Sequence, residues 1–381
     1  MAKKTLWLLI SMTVLTVFFF GSIKELKTGN PAKISTTSSK VCQKCHVEIY
    51  NTWKNDLHAM SIEDPMFMAS YMESYLLSTG EAKSLCLPCH APVVNMNKDF
   101  DLKMEVTKEG VSCDFCHSIK AVHLDRTENR FEFDAGGKKR GPLLKSSSPA
   151  HETEPSDLFK SSEFCASCHE YTNAHGIVIL GTFSEWKNSP YVNEDVQCQD
   201  CHMPLIEGNV ADPKIKVPSQ KMINRHAISA AHSTEQLEKA VRVEIKNVEK
   251  DSNFIYVEVE VANIGSGHAV PTGIPSRKLI LWLELRTPNE YFAQNRIYQR
   301  LLKDQAGRNV EKVLDLFQNA SEVAVDTRLK PREPKSESFV FATPKNKKIT
   351  ITARLEYLYV ANTMSPTEIR VKMAEDSREL K

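Results

Sequence analysis

Ten cysteines constrain what this 381-residue chain can fold into, because every one of them belongs to a Cys-x-x-Cys-His motif. In such a motif both cysteines lie on one side of a helical turn, where their sulfurs reach the vinyl edge of one porphyrin. The histidine that follows lies under the iron as its proximal ligand. The motifs therefore predict five covalently bound haem c groups, attached through Cys42, Cys45, Cys86, Cys89, Cys113, Cys116, Cys165, Cys168, Cys198 and Cys201, with His46, His90, His117, His169 and His202 as proximal ligands.

Other uses of Cys-x-x-Cys fit this pattern poorly. A zinc ribbon pairs its Cys-x-x-Cys units to complete four ligands, so five units do not pair off and the following histidine has no use. A thioredoxin-like site needs one such motif on an α/β pattern. No cysteine remains for a structural disulfide.

The five motifs all fall within residues 42–202. Such a density leaves too few apolar side chains for a conventional core, so we expect the porphyrins to form the core, with short helices and loops around them. Without haem this segment is not expected to fold. The net charge of +1 gives no sign of a nucleic-acid binder.

The amino terminus resembles an export signal. Lys3 and Lys4 precede an apolar and hydroxyl run over residues 5–20, a run somewhat shorter than the roughly 20 residues of a full membrane span. We predict a signal peptide or N-terminal membrane anchor over residues 1–27 and a linker over residues 28–40. The remainder is expected in the periplasm or on the cell-envelope exterior.

Seven histidines lie outside the motifs and are candidates for the second ligand of each iron: His58, His123, His151, His175, His226, His232 and His268. Imidazole on both sides gives a low-potential haem suited to electron transfer, whereas an empty sixth position admits substrate. Seven candidates are enough to cap all five irons.

The surroundings of these histidines differ. His58 ends the run that begins at Trp53, and a partial echo of that run extends from Trp186 to Tyr191, with tyrosine in place of histidine. The echo predicts a repeated haem-packing unit whose tryptophan stacks on porphyrin.

Three further candidates follow the last motif. His226 and His232 are six residues apart, so on a helix they would point to different sides and cap different irons. His268 lies in the glycine- and proline-rich loop Gly265–Gly273, which is suited to reach a neighbouring domain. The remaining candidates, His123, His151 and His175, have less distinctive surroundings.

From about residue 240 the chain alternates apolar and polar residues, which predicts strands over Val241–Ile245, Ile255–Val261, Leu279–Leu285, Phe339–Phe341 and Ile349–Leu355. Their number and spacing predict an antiparallel β-sandwich of immunoglobulin-like type, interrupted over residues 290–318 by a more helical insertion. The predicted fold class is α+β: a mostly α-helical and loop multihaem cytochrome c domain (residues 41–236) followed by the β-sandwich (residues 237–381), a scaffold or docking surface.

The haem segment resembles the multihaem cytochromes related to the tetrahaem cytochrome of ammonia oxidisers and, more distantly, to hydroxylamine oxidoreductase and pentahaem nitrite reductase. The resemblance rests on Trp53–His58, Gly110–His117, Ser148–His151, Val196–Pro204 and the loop Gly267–Gly273. It implies five distal ligands for five haems: His58, His151, His226, His232 and His268.

Two features of these relatives do not transfer. Pentahaem nitrite reductase typically uses lysine at its active haem, whereas all five motifs here end in histidine. Hydroxylamine oxidoreductase cross-links its active haem through a tyrosine, and nothing marks Tyr191 as that residue.

Our first hypothesis is an electron carrier with closely packed bis-histidine haems and no catalytic residue. Its partners would be redox proteins, either other cytochromes or a quinol-oxidising membrane complex. The second is a reductase or oxidase of a small nitrogen or sulfur compound at one open haem. A third is a structural subunit of a respiratory complex or an extracellular wire.

Overall fold

The computed structural model describes residues 36–126, 130–134, 137–218, 221–228, 233–345, 348–361 and 368–380. The predicted signal or anchor segment, residues 1–27, and most of the predicted linker lie outside these ranges. Within the described ranges, no helix combines the length and the apolar character needed to cross a membrane.

Short helices joined by loops form the part of the chain that carries the motifs. They are α1 (Ser39–Cys42), α2 (Val47–Trp53), α3 (Pro65–Leu77), α4 (Glu81–His90), α5 (Val94–Asn97), α6 (Cys113–Ser118), α7 (Glu163–His169), α8 (Thr182–Lys187), α9 (Pro190–Asn193), α10 (Cys198–His202) and α11 (Thr234–Ala240). Two 3₁₀ turns, Glu105–Lys108 and Asp157–Lys160, lie among them.

Four of the five motifs lie within these helices, at one end. Helices α4 and α7 end at the motif histidine, and α6 and α10 begin at the first motif cysteine. Helix α6 begins there because the Ser112 side chain accepts a hydrogen bond from the Phe115 amide, 3.3 Å away. Helix α10 begins with a capping box in which the Gln197 amide donates to Asp200 Oδ2 over 2.7 Å.

Four short strand pairs lie between the helices. They are β1 (Ile119–Val122) with β2 (Phe131–Phe133), β3 (Lys139–Gly141) with β4 (Thr153–Pro155), β5 (Glu170–Thr172) with β6 (Val178–Gly181), and β7 (Leu205–Glu207) with β8 (Met222–Asn224). The apolar clusters here are small, such as the six buried side chains around Tyr71 and Leu87. The described residues of this part therefore pack around several small clusters.

The C-terminal part consists of two antiparallel sheets. Its strands are β9 (Val241–Lys250), β10 (Phe254–Asn263), β11 (Arg277–Arg286), β12 (Tyr291–Asp304), β13 (Ala320–Asp326), β14 (Lys335–Ala342), β15 (Ile349–Val360) and β16 (Glu368–Leu380), with helix α12 (Val313–Gln318) before β13. One sheet has the order β14-β10-β9 and the other β13-β12-β11-β15-β16. All five predicted strand segments are confirmed, whereas the immunoglobulin-like type stays a prediction.

Alternation along the strands creates the main core. Strand β10 buries Ile255, Val257 and Val259, while Tyr256 and Glu258 between them point outward. Strands β11 and β15 bury their inward residues in the same way, and all three strands contribute to one apolar cluster. Met66 of α3 joins this cluster, so the helical part and the sheets share a core. Helix α11 spans the predicted boundary at residues 236 and 237, and this domain division stays a prediction.

The prediction of a helical insertion over residues 290–318 is wrong for its first half. Residues 291–304 form the 14-residue strand β12, which pairs in antiparallel fashion with β11 from Tyr291 to Gln299. The alternation is hidden because inward-facing positions of β12 carry polar side chains, among them Gln294, Arg296 and Arg300. Only α12 is helical in this stretch.

Candidate haem-binding site

Each non-motif histidine that faces a motif histidine belongs to a distant part of the chain. Four such pairs have nearly equal separations between ring centroids: His46 and His151 (6.3 Å, interplanar angle 31°), His58 and His169 (6.3 Å, 75°), His117 and His226 (6.4 Å, 22°), and His202 and His268 (6.3 Å, 13°). The separation is constant while the angle varies.

This combination fits one haem iron between the two rings of each pair. Two metal–nitrogen bonds of about 2 Å each, together with the half-widths of two imidazoles, account for a separation of this size. Rotation of a ring about its metal–nitrogen bond changes the interplanar angle without changing the separation. Direct ring contacts would not require so uniform a distance.

Backbone carbonyls select the tautomer that metal binding needs. Nδ1 lies 2.5 Å from Val210 O in His46 and 3.0 Å from Ser61 O in His90, and in His117 it contacts Arg140 O. Since a carbonyl can only accept, Nδ1 donates and Nε2 keeps its lone pair for a metal.

The same arrangement recurs on the non-motif side. Nδ1 lies within 3.1 Å of a backbone carbonyl in His151, His226 and His268. In His58, Nδ1 lies 3.2 Å from the Asp56 carboxylate, which also accepts from the His58 amide.

Burial keeps several of these imidazoles neutral. It lowers the pKa of His90 and His117 to about 4 and that of His169 to about 3. It also lowers the pKa of His226 and His268. A neutral ring at physiological pH is the form that coordinates iron.

His90, in the second motif, differs from the other four motif histidines. Its ring stacks on Phe67 with centroids 3.7 Å apart, and no histidine faces it among the described residues. His123 lies 3.5 Å from Glu132, and His175 lies 3.4 Å from the Gln305 side chain. The predicted ligand His232 lies outside the described residues.

Cysteines of different motifs lie next to each other, which gives the spatial order of the attachment sites. Thiols lie close enough to interact between the first and third motifs (Cys42, Cys113), the second and fourth (Cys89, Cys168) and the fourth and fifth (Cys165, Cys198). Cys116 of the third motif is close enough to interact electrostatically with Cys168 of the fourth. The fourth motif therefore has three neighbouring motifs, the second, third and fifth. The first motif lies beside the third.

The predicted repeat of the tryptophan unit has a structural counterpart. Trp53 and Trp186 are both buried, with 9% and 8% of their surface exposed. Each indole donates to the carbonyl two residues before a motif: Trp53 to Val111 over 3.0 Å and Trp186 to Val196 over 2.8 Å. Stacking of these indoles on porphyrin stays a prediction.

Sequence reasoning missed the residues that hold the histidines rather than the histidines themselves. Phe67 and the carbonyls of Ser61, Val210 and Arg140 belong to segments far from the motifs they contact. Backbone carbonyls carry no signal in a sequence. Phe67 follows Asp64 and Pro65, which cap α3, and this cap signal marks the helix but not its contact with His90.

Two family models match this chain. Residues 41–118 match the model for cytochrome c554 and c-prime, and residues 156–254 match the N-terminal region of the NapC/NirT cytochrome c family. No curated protein sequence matches.

Among solved structures, a penta-haem cytochrome c552 from Thermochromatium tepidum is 21% identical, covers 91% of this chain and 99% of its own, and has a TM-score of 0.72. A β-glucosidase from Kluyveromyces marxianus is 9% identical over 37% of this chain and 14% of its own, with a TM-score of 0.17. The cytochrome c552 shares the fold of this chain. Together with the two family matches, it supports a multihaem c-type cytochrome, with covalently bound haem c and a function in electron transfer.

Proposed function

We propose that this protein carries electrons in the cell envelope through five haem c groups, at least four of them with histidine on both sides of the iron. The observation that carries the proposal is the near-constant separation of 6.3 to 6.4 Å in four histidine pairs. Bound haem c supplies one-electron transfer, and two imidazole ligands leave no position for substrate.

The chain holds the proposed histidine ligands in fixed orientations through hydrogen bonds. His117 and His226 illustrate this, because each ring is held by a backbone carbonyl on its Nδ1 side and is kept neutral by burial. A ligand held in one orientation needs little rearrangement when the charge of the iron changes. This arrangement favours a carrier.

The contacts between motifs support a connected set of redox centres. Cysteines of the fourth motif lie near cysteines of the second and fifth, and the third motif lies near both the first and the fourth, so each attachment site has a neighbour. The expected arrangement is branched, with the fourth attachment site at the branch point.

Because the other four predicted distal ligands each face another motif histidine, we propose that His232 is the distal ligand at the second motif. Its support is the count of five ligands for five irons that the family resemblance implies. The second candidate function is a reductase or oxidase of a small nitrogen or sulfur compound at the haem held by His90. It is favoured by one observation: no histidine faces His90 among the described residues.

Electron paramagnetic resonance of the ferric protein, with haem content measured on the same sample, separates the two functions. Five low-spin haems in the wild type and one high-spin haem in His232→Ala would support the carrier. His123→Ala is the matched control, because His123 belongs to none of the four pairs, and it should leave the spectrum unchanged. One high-spin haem in the wild type, unaltered by His232→Ala, would favour the enzyme.

The location and partners follow the same reasoning. We propose export through residues 1–27, cleaved or retained as an anchor, and electron exchange with other cytochromes or a quinol-oxidising membrane complex. We also propose a haem domain over residues 41–236 and an immunoglobulin-like sandwich over residues 237–381. Cell fractionation with N-terminal sequencing of the purified protein tests the export, and a mature protein found in the cytoplasm would contradict it.

A further inference from the structure

The loop that carries His268 lies against helices α8 and α9. This loop connects β10 to β11 and approaches so closely that a Cβ added at Gly267 would lie 3.2 Å from Trp186 Cδ1 and 3.4 Å from Tyr191 Cγ. Glycine at this position therefore permits the contact. Asn263 donates to the His268 carbonyl over 2.8 Å, which fixes the loop from its own strand.

Glu185 of α8 forms hydrogen bonds with the loop that carries His268 and with Arg328. Its Oε2 accepts from the Ala269 amide over 3.2 Å and from Thr272 Oγ1 over 2.7 Å, and its Oε1 accepts from Arg328 over 2.5 Å. Ala269 directly follows His268. The Glu185 carboxylate thus fixes the backbone next to the histidine.

The ion pair between Glu185 and Arg328 is shielded from solvent, and Arg328 also binds a second carboxylate. The side chains of Glu185 and Arg328 are only 15% and 10% exposed. Arg328 is itself held by Asp326 through contacts of 2.8 and 2.9 Å. Charge-assisted hydrogen bonds in such surroundings are stronger than exposed ones, and removing one partner of a buried pair is costly.

Comparison of the two copies of the tryptophan unit explains why the loop that carries His268 must be held in place. In the first copy, His58 follows Trp53 within the same segment and faces His169. Thr52 directly precedes Trp53, and its side chain donates a local hydrogen bond to Ile49 O over 2.8 Å. A ligand in the same segment requires no bond from position 52 to a second part of the fold.

In the second copy, Tyr191 replaces the histidine, and the residue directly before the tryptophan is Glu185. The histidine that faces His202 comes instead from the β-sheet part of the chain, as His268. Glu185 stands where it can hold that remote loop in place.

We propose that Glu185 is a positioning residue that holds His268 on the iron of the fifth motif by binding Ala269, Thr272 and Arg328. The inference rests on the proposed function, in which His268 is the distal ligand of that iron. Loss of a hydrogen bond to a charged group, at roughly 1.5 to 3 kcal/mol, corresponds to at least about a tenfold rise in the fraction of time that His268 is off the iron.

Carbon monoxide binding to the reduced full-length protein measures that fraction, because carbon monoxide binds only where an iron position is free. We expect carbon monoxide to bind at the haem of the fifth motif at least about tenfold faster in Glu185→Ala than in the wild type. Thr272→Val should show a smaller increase. Glu194→Gln is the matched control: Glu194 also binds the sheet part, through Arg332, but both side chains are exposed, and no increase is expected.

His268→Ala distinguishes failure of this inference from failure of the proposed function. If His268→Ala frees no iron, His268 is not a ligand and the proposed assignment falls. If it frees one iron while Glu185→Ala and Thr272→Val both behave as wild type, the positioning role is refuted. If Glu185→Ala loses haem, the result for Thr272→Val alone tests the positioning role. Added imidazole should restore the low-spin spectrum in any variant that lost only the ligand.

Discussion

The ring of His58 lies 6.3 Å from the ring of His169, although His58 follows the first motif in sequence and His169 belongs to the fourth. The first motif's own histidine, His46, faces His151 instead. Neighbouring residues thus contribute to different histidine pairs, so the segment from His46 to His58 connects two of the proposed haem sites. A change at either histidine should therefore affect one site without removing the other.

Replacing His58 by alanine should convert one haem per chain from low to high spin, because only His169 would then coordinate the iron. The measurement is the electron paramagnetic resonance spectrum of the ferric protein at matched haem content. His175→Ala serves as control, since His175 contacts Gln305 and faces no motif histidine. A spectrum of His58→Ala identical to that of the wild type would remove His58 from the ligand set.

The buried tryptophans should stabilise the fold by similar amounts. Trp53→Phe and Trp186→Phe each keep an aromatic ring but lose one hydrogen bond to a carbonyl near a motif, and leave that carbonyl unpaired. We expect the free energy of unfolding to fall by about 1 to 3 kcal/mol in each case, measured by guanidinium titration. Tyr256→Phe, at a ring 43% exposed, should change it by less than about 0.5 kcal/mol. Equal stability of all three variants would contradict the structural repeat.

Part of this architecture follows from sequence spacing alone. Cys-x-x-Cys-His is a local arrangement, so five copies of it are sufficient to predict five haem attachments. Strict alternation likewise predicts β10, where Ile255, Val257 and Val259 point inward. Strand β12 escaped prediction because its inward positions carry polar side chains such as Gln294 and Arg296, whose amide and guanidinium groups donate to carbonyls of β14.

Which histidines face each other cannot be predicted from the local sequence. Whether His58 faces His46 or His169 depends on how the chain returns after two intervening motifs. The same holds for His268, whose position depends on the contact between its loop and Glu185. Spacing identifies the candidates, and tertiary packing selects the partners.

Acid should destabilise the protein through buried histidines outside the motifs. Burial lowers the pKa of His226 and His268 in the folded state, whereas unfolding releases them to titrate near the ordinary value of about 6.5. The unfolded chain then binds more protons below that pH, so the free energy of unfolding rises with pH up to about 6.5 and levels off above it.

Below about pH 6.5 each such histidine contributes a positive slope of at most roughly 1.4 kcal/mol per pH unit. Guanidinium titrations monitored by visible absorbance between about pH 5 and 8 give the slope. His226→Ala should reduce this slope, because one buried histidine fewer is released on unfolding. A free energy of unfolding that stays constant across this range would show that neither histidine is released to solvent on unfolding.

The fourth attachment site should matter more for electron distribution than the first. Cysteines of the fourth motif lie near those of the second and fifth, whereas those of the first motif lie near the third. Replacing Cys165 and Cys168 by alanine removes the branch point, and replacing Cys42 and Cys45 removes one end. Each double variant should lose one haem by mass.

Stopped-flow reduction by a limiting amount of reductant distinguishes the two double variants. Without the first haem, the remaining four stay in contact, so we expect reduction in one fast phase as in the wild type. Without the fourth, the second and fifth attachment sites are separated from the first and third, so part of the absorbance change should move into a slower phase. Indistinguishable kinetics would mean that electrons do not depend on the contacts that Cys165 and Cys168 make, and the branched order would then have to be abandoned.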